Sequence, residues 1–323
     1  GFRDRTGGFS LVRVEKSEAS AIAALLKEKD SDSIGRFEIT VSADRPHKIV
    51  SFALNLIPTP TDLLPARMTE ADALVALTRR ADDAARDDRF SGAVLIAKNG
   101  KVLLEKAWGK ADRESNVPVA LDTQFRLGSM NKMFTAIATL QLVDAGKLAL
   151  DDVIGKHLPD YPNKDIAAKV TLRHLLTHTG GTGDIFGAEF DKNRGTLQSH
   201  ADYLKLYGAR ATTHEPGSTS RYSNFGFVLL GVLIEKVSGM SYYDYMQQKV
   251  FLPAGMHATA SLPENERVAK RAPGYMKREG KWVPNTDTLP WRGTAAGGGY
   301  STVGDLLRFA DALQSGKLVS KGL

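Results

Sequence analysis

The pattern of hydrophobic and polar positions changes after about residue 57. Before that point, hydrophobic residues fall in short runs that predict strands at Phe9 to Val14, Arg36 to Val41 and His47 to Ile57. Ala19 to Lys27 fits a strand or a helix, because its alanines and leucines favour a helix while its neighbours favour a strand. We predict a small antiparallel meander for this part of the chain.

A proline-rich stretch marks the predicted domain boundary. Residues 58–65 hold three prolines, a composition typical of a linker. Residues 1–57 are predicted to be a small α+β segment, interpreted as a truncated N-terminal domain or as a binding or positioning module. Residues 66–323 are predicted to be the main domain, incomplete at its C-terminus.

Helical periodicity dominates the main domain. Thr69 is a suitable N-cap for a helix that runs to about Asp88. Phe90 to Ala97 and Val102 to Trp108 predict a hairpin with Asn99-Gly100 as its turn. Further helices are predicted at Asn131 to Ala145, Thr171 to His178, Leu197 to Tyr207, Asn224 to Val237, Ser241 to Phe251 and Thr302 to Leu313. A strand hairpin followed by a helical block indicates an α+β fold.

Composition and charge exclude several classes of function. The 323 residues carry 43 Lys and Arg against 37 Asp and Glu, but the resulting charge of +6 is interspersed, which argues against a nucleic-acid partner. No segment reaches the roughly 18 uninterrupted apolar residues that cross a bilayer, so no integral membrane span is predicted in this chain. With no cysteine, the chain has neither disulfides nor thiolate nucleophiles or metal ligands.

Common catalytic signatures are missing from the sequence. It contains no G-x-S-x-G elbow, no H-E-x-x-H, no P-loop and no G-x-G-x-x-G. The seven histidines are scattered, and His174 and His178, four apart, have no acidic partner in the same turn. No metal and no organic cofactor are therefore implied.

Ser129 and Lys132 form the one S-x-x-K in the sequence, at the start of the predicted helix Asn131 to Ala145. Side chains three residues apart on a helix share a face, and the helix N-terminus favours negative charge developing on the serine. A buried lysine is less readily protonated and can accept the serine's proton. The alternative is a serine that caps the helix and a solvated lysine.

Tyr222 and Asn224 supply a second candidate element directly before an apolar helix. A tyrosine at a helix entry can transfer a proton between serine and lysine, and the Asn224 amide can bond to both the lysine and a substrate carbonyl. Tyr161-Pro162-Asn163 has the same Y-x-N spacing, but we set it aside because it lies in a proline-flanked loop with no predicted helix after it.

Several motifs, in this order, resemble those of the serine β-lactamase-like family of class C β-lactamases, D-alanyl-D-alanine peptidases and family VIII-type esterases. The resemblance covers about residue 66 to the end of the chain. It is carried by Phe125 to Thr135, Leu175 to Gly180, Pro216-Gly217 with Tyr222 to Gly226, Leu252 to Met256 and Gly297 to Thr302.

The resemblance implies a role for each candidate residue. Ser129 would be the acylated nucleophile, Lys132 its proton acceptor, Tyr222 the second proton-transfer group and Asn224 the orienting amide. One oxyanion donor would be the Ser129 backbone N–H. The implied fold is an antiparallel sheet flanked by helices with a helical subdomain, and the nucleophile at their junction.

A third family motif, a strand with Lys/His-x-Gly, should lie beyond Leu323. The chain begins at Gly1 without a signal-like segment, so we expect a piece of a longer protein. Without the missing strand, we expect this piece to be weakly active or inactive. His178-Thr179-Gly180 matches a scaffold motif of the family instead, with glycine in place of serine at 180. The glycines from Gly297 are interpreted mainly as backbone packing.

The sequence thus predicts a serine hydrolase acting through a Ser129 acyl-enzyme on an ester, amide or β-lactam carbonyl. The substrate would be a small molecule or a peptide, and peptidase, esterase and β-lactamase share these residues. The alternative is a non-catalytic ligand-binding or sensor protein that retains the pocket. The family resemblance implies export to the periplasm. Neither the substrate nor the oligomeric state follows from the sequence.

Overall fold

Two compact units, Gly1–Ala73 and Leu74–Leu323, make up the chain. The computed structural model describes residues 6–29, 31–64, 66–320 and 322. Pro65, the last residue of the predicted linker, lies outside the described residues, as do residues 1–5 and 30 of the predicted N-terminal segment. The domain boundary at 58–65 stays a prediction.

The first unit contains a four-stranded antiparallel sheet in the order β1-β2-β3-β4. Its strands are β1 (Phe9–Ser17), β2 (Ala21–Glu28), β3 (Ile34–Val41) and β4 (Ile49–Ile57). The predicted meander is confirmed. The stretch that fitted either a strand or a helix forms β2, because pairing with β1 and β3 satisfies its backbone on both sides.

The strands of the second unit form short antiparallel pairs among its described residues. The predicted hairpin is confirmed, and other pairs bring distant segments together: β12 lies beside β9 with Tyr300 opposite Arg126. The strands are β5 (Gly92–Lys98), β6 (Lys101–Trp108), β7 (Lys110–Asp112), β8 (Val117–Pro118), β9 (Phe125–Arg126), β10 (Tyr275–Arg278), β11 (Lys281–Pro284) and β12 (Tyr300–Ser301).

Helices supply most of the rest of this unit. They are α1 (Glu70–Arg86, which begins in the first unit), α2 (Asn131–Asp144), α3 (Ile154–His157), α4 (Lys164–Lys169), α5 (Leu172–Leu176), α6 (Ala188–Asn193), α7 (His200–Tyr207), α8 (Asn224–Ser238), α9 (Tyr242–Tyr245), α10 (Leu252–Ala254) and α11 (Val303–Gln314). A π-helical turn, Met246–Phe251, separates α9 from α10. The fold is α+β, as predicted.

Helices α2 and α8 form the centre of the main core. The α8 sequence is apolar on nearly all sides, so most of the helix is buried rather than one stripe. Ser223 caps it by accepting the Gly226 N–H at 2.9 Å, and Gly239 ends it in the left-handed conformation. In α2, Phe134 meets Phe251 and Phe309 edge to face, with ring centroids 5.2 and 4.7 Å apart.

The short helices α3, α4 and α6 have no counterpart in the sequence predictions. Each has only four to six residues, too few to show a helical period. The statement that no helix follows Tyr161-Pro162-Asn163 is wrong, since Asn163 caps α4 by accepting two backbone N–H groups. Tyr161 itself is only 1% exposed. It is therefore not accessible as a reactive group, and we still set this copy aside.

No single helix in the described part of the chain is long and apolar enough to cross a membrane. The segments Asn224–Ser238 and Tyr242–Ala254 reach that length and composition only when taken together, and they are bent by 79° relative to each other.

Candidate active site

Ser129 lies on a tight turn between β9 and α2. Gly128–Met130 form one turn of 3-10 helix, and Gly128 adopts a φ of 54°, a conformation that favours glycine. This turn ends the strand and leaves the Ser129 side chain exposed at the helix entry. The Gly298 N–H donates to the Gly128 carbonyl at 3.1 Å, which ties the turn to a second segment.

Lys132 is the buried partner of Ser129, with only 7% of its surface exposed. Its Nζ lies 2.7 Å from Asn224 Oδ1, 3.4 Å from Ser129 Oγ, and within hydrogen-bond distance of the Ala296 carbonyl. Burial lowers the pKa of Lys132, and the interactions with Tyr222 and then Asp184 oppose that shift in part.

The three oxygen neighbours of Lys132 Nζ differ in whether they can donate a hydrogen bond. The Asn224 and Ala296 oxygens accept only, so they take two N–H groups of the lysine. Ser129 is a hydroxyl and can donate. A neutral Lys132 therefore directs its lone pair at the Ser129 proton, which is the geometry that a general base needs.

Tyr222 approaches Ser129 from the opposite segment of the chain. Its hydroxyl donates to Ser129 Oγ at 2.6 Å, and Lys132 Nζ lies 4.6 Å from the centre of its ring. The side chain is 52% exposed, so the phenol stands at the open side of the site. The structure brings together all four residues that the sequence predicted: Ser129, Lys132, Tyr222 and Asn224.

Asn224 is buried at the first position of α8, and Asp184 fixes the orientation of its amide. The Asn224 Nδ2 donates to Asp184 Oδ1 at 2.8 Å, which leaves Oδ1 facing Lys132. Sequence reasoning missed Asp184. It ends the glycine-rich stretch from Gly180, but nothing local connects that stretch to a residue 40 positions later.

His178 also lies at the site, although its motif was interpreted as scaffold. Its ring centroid is 4.5 Å from that of Tyr222, and Nδ1 accepts the Ser223 N–H at 3.1 Å. Burial, and then the charge of Lys132, lower the pKa of His178, which favours the neutral ring. The local feature that distinguishes His178 is its left-handed φ of 59°, which cannot be predicted from the sequence.

The glycine stretch forms the wall behind Ser129. A β-carbon at Gly297 would lie 3.2 Å from the Gly128 oxygen and 3.6 Å from the Ser129 nitrogen. Packing is therefore one reason for glycine here, as predicted. Because glycine has no β-carbon, the space beside the Ser129 backbone N–H also stays open.

A cavity of about 180 Å³ opens beside Ser129. Its lining is mainly apolar, and Arg126 and Glu264 pair with each other in its wall at 2.6 Å, so that their charges offset one another. The lining includes Ile185, Phe186, Tyr203, Leu289, Pro290 and Ala296. An apolar group attached to a carbonyl at Ser129 fits such a surface.

Comparison with known proteins agrees with this geometry. The Beta-lactamase family model matches residues 75–323. The chain is 32% identical to Penicillin-binding protein 4* of Bacillus subtilis over 252 residues, which cover 72% of this chain and 54% of that protein.

Two solved structures share the fold. The penicillin binding protein from Bacillus halodurans has a TM-score of 0.69 at 34% identity, covering 75% of this chain and 76% of that chain. EstCE1, a hydrolase with promiscuous acyltransferase activity, has a TM-score of 0.66 at 25% identity, covering 79% and 76% respectively.

The chain therefore belongs to the Beta-lactamase family, and the resemblance seen in the sequence is confirmed. It spans about half the length of the curated relatives it matches, with 54% of Penicillin-binding protein 4* covered.

Proposed function

We propose that the protein is a serine hydrolase that works through an acyl-enzyme at Ser129. The observation that carries this proposal is the convergence on one hydroxyl: Ser129 Oγ lies 2.6 Å from the Tyr222 hydroxyl and 3.4 Å from the Nζ of buried Lys132. A family member that only binds ligands needs neither proton-transfer group, so the non-catalytic alternative is not favoured.

In the proposed reaction, Ser129 Oγ attacks the substrate carbonyl carbon and its proton passes to neutral Lys132. When the bond to the leaving group breaks, that group takes a proton from Tyr222, which Lys132 restores. Water then attacks the acyl ester, gives up its proton by the same route, and Ser129 regains its own. The Ser129 backbone N–H, kept accessible by Gly297, stabilises the oxyanion.

The proposed substrates are esters or amides with an apolar acyl part. The apolar cavity beside Ser129 supports this, because its one ion pair, Arg126 with Glu264, is internally neutralised and offers little to a charged group. The likeness to EstCE1, named as a hydrolase with promiscuous acyltransferase activity, supports transfer of an acyl group. A peptide or β-lactam carbonyl is the second candidate, favoured by the likeness to penicillin-binding proteins.

Export is part of the same proposal, on the basis of the likeness to penicillin-binding proteins. The partner is then a small molecule or a peptide outside the cytoplasm.

Intact mass of the protein at its natural length tests the acyl-enzyme. The protein is incubated separately with a short-chain activated ester and with a penicillin, and the adduct is mapped by peptide digestion. We expect an acyl adduct on Ser129 that Ser129→Ala abolishes and Ser10→Ala, an exposed serine of β1, leaves intact. Unchanged turnover in Ser129→Ala, or an adduct that maps to another residue, would contradict the proposal.

The lifetime of the adduct separates the substrate classes. Rapid loss of an ester-derived acyl group together with a long-lived penicillin adduct indicates an esterase or peptidase. Rapid loss of the penicillin adduct indicates a β-lactamase.

A further inference from the structure

The segment that carries Tyr222 has no regular secondary structure. Arg221 to Ser223 precede α8 outside any helix or strand, and the Tyr222 side chain is half exposed. Its phenol nevertheless has to stay within hydrogen-bond distance of Ser129. Neighbouring residues must therefore hold the backbone on each side of Tyr222.

His178 supplies a hydrogen bond on each side. Its backbone carbonyl accepts the Arg221 N–H at 2.9 Å, and its imidazole Nδ1 accepts the Ser223 N–H at 3.1 Å. Between these two bonds, the imidazole packs against the Tyr222 ring at 4.5 Å, with 32° between the ring planes. One residue therefore contacts the backbone before Tyr222, its ring, and the backbone after it.

The backbone of His178 is held in an uncommon conformation to do this. Its φ of 59° is in the left-handed region, which non-glycine residues seldom occupy and asparagine tolerates best. The Phe227 ring, 5.1 Å away on α8, supports the imidazole from another side. Such conformations persist where the surrounding contacts enforce them, often near functional groups.

The bond to Ser223 depends on the protonation state of the imidazole. Nδ1 accepts a backbone N–H only when it carries no proton of its own. Among the described residues, Lys132 of α2 acts on the imidazole by its charge, the Tyr222 phenol belongs to the ring that packs on it, and Arg221 is bonded to the His178 carbonyl through its backbone N–H. When Lys132 is protonated, its charge disfavours a second positive charge on the imidazole.

We propose that His178 is a positioning residue that holds the Tyr222 phenol against Ser129 only while its Nδ1 is unprotonated. The proposal rests on the proposed function, in which Tyr222 transfers protons. Protonation of His178 removes the acceptor of the Ser223 N–H and so breaks this bond. Activity should then fall at acidic pH as His178 takes up its proton.

Two substitutions test the role of Nδ1 as a hydrogen-bond acceptor separately from the packing of the imidazole ring on Tyr222. His178→Asn tolerates the left-handed backbone and offers an oxygen near the position of Nδ1, but does not titrate. His178→Phe keeps an aromatic ring against Tyr222 and removes the acceptor. His257→Asn, at an exposed histidine, is the matched control.

The rate of ester hydrolysis is measured against pH for all four proteins. We expect His178→Phe to lower kcat about tenfold or more with KM within about twofold of the original. His178→Asn should retain more of kcat and lose the limb of the pH profile that belongs to His178. Lys132 titrates in all four proteins, so the limb that disappears in His178→Asn and persists in His257→Asn is the one assigned to His178.

A second measurement does not depend on activity. With serine labelled by ¹⁵N, the Ser223 amide signal should shift with pH in the original protein, at the midpoint of the His178 limb, and not in His178→Asn. An unchanged acid limb in His178→Asn, a kcat of His178→Phe equal to the original, or a Ser223 amide that ignores pH would each overturn the proposal. If the original protein shows neither adduct nor turnover, the proposed function fails, and the Ser223 amide still decides whether His178 holds this segment.

Discussion

The Tyr222 hydroxyl donates a hydrogen bond to Ser129 Oγ at 2.6 Å, across 93 positions of sequence. Ser129 belongs to the turn before α2 and Tyr222 to the segment before α8, so the contact exists because the two core helices pack with their N-terminal ends side by side. Both helices are mostly buried, and that packing fixes the distance between two side chains that are themselves exposed.

Removal of the Tyr222 hydroxyl should slow the reaction without loosening substrate binding. We expect Tyr222→Phe to lower kcat by about 10²- to 10⁴-fold, the range typical of a lost proton-transfer group, with little change in KM. Ester hydrolysis under saturating substrate measures this. Tyr161→Phe is the matched control, because that hydroxyl is buried with no hydrogen-bond partner among the described residues and belongs to the other Y-x-N copy. Equal rates for the two variants would contradict the role of Tyr222.

Replacement of Lys132 by a residue that keeps its proton should stop acylation. Arginine retains the positive charge but cannot act as a base at any accessible pH, so Lys132→Arg should lower the rate of adduct formation by about 10³-fold or more. Mass spectrometry of Ser129 acylation measures the effect. Lys147→Arg, at an exposed lysine after the same helix, is the control. Rapid acylation in Lys132→Arg would mean that another group accepts the serine's proton.

How much of this site the sequence predicts depends on how far apart the interacting residues lie. Ser129 and Lys132 are three residues apart, so the helical period alone places them on one face. Tyr222 and Asn224 were predicted from their position at the entry to an apolar helix and from the family resemblance. The apolar runs also predicted α2, α8 and the strands of the first unit, because burial imposes a period on the sequence.

The rest depends on contacts that no local pattern encodes. Asp184 reaches Asn224 across 40 positions, and His178 reaches Ser223 across 45. Both residues lie in loops, where hydrophobic periodicity carries no information. The short helices were not predicted for a related reason. A helix of one or two turns is stabilised by its caps, as at Asn163, and by packing, and it is too short to show an amphipathic period.

Asp184 should act on the pH profile through Lys132. Its charge raises the pKa of Lys132 against the larger effect of burial, so Asp184→Asn should lower that pKa further. Catalysis needs the neutral amine and is lost as pH falls through this pKa, so the corresponding limb should move to lower pH. The amide oxygen of asparagine can still accept the Asn224 N–H, so the maximal rate should change little in this variant. Asp184→Ala removes that acceptor and should lower the maximal rate about tenfold, because the Asn224 amide is then no longer held in orientation. Asp160→Asn, at an exposed aspartate, is the control for kcat/KM against pH.

A limb that stays in place or moves to higher pH in Asp184→Asn would contradict the assigned influence of Asp184 on Lys132. A displaced limb in Asp184→Asn together with an unchanged maximal rate in Asp184→Ala would keep the electrostatic effect and reject the positioning of Asn224.

Gly297 should be intolerant of a side chain because of its distance from the nucleophile. Its β-carbon would lie 3.2 Å from the Gly128 oxygen, so the turn that carries Ser129 has to shift. We expect Gly297→Ala to cost about 1–3 kcal/mol of unfolding free energy and to lower kcat about tenfold or more through the displaced Ser129 N–H. Gly195→Ala, where a β-carbon meets no atom within 4 Å, is the control. Thermal unfolding and ester hydrolysis measure the two effects.

Phe186 should determine which acyl groups the cavity accepts. Its ring is 57% exposed, lines the cavity beside Ser129 and packs against Phe190 with centroids 5.1 Å apart. A long acyl chain bound there covers this exposed ring, whereas an acetyl group is too short to reach far into the cavity. Phe186→Ala should therefore lower kcat/KM for an octanoyl ester about tenfold or more relative to an acetyl ester, as expected for loss of several apolar contacts. An unchanged ratio would place the acyl chain elsewhere, and an equal loss for both esters would indicate that Phe186 supports the loop around Asp184 instead of the substrate.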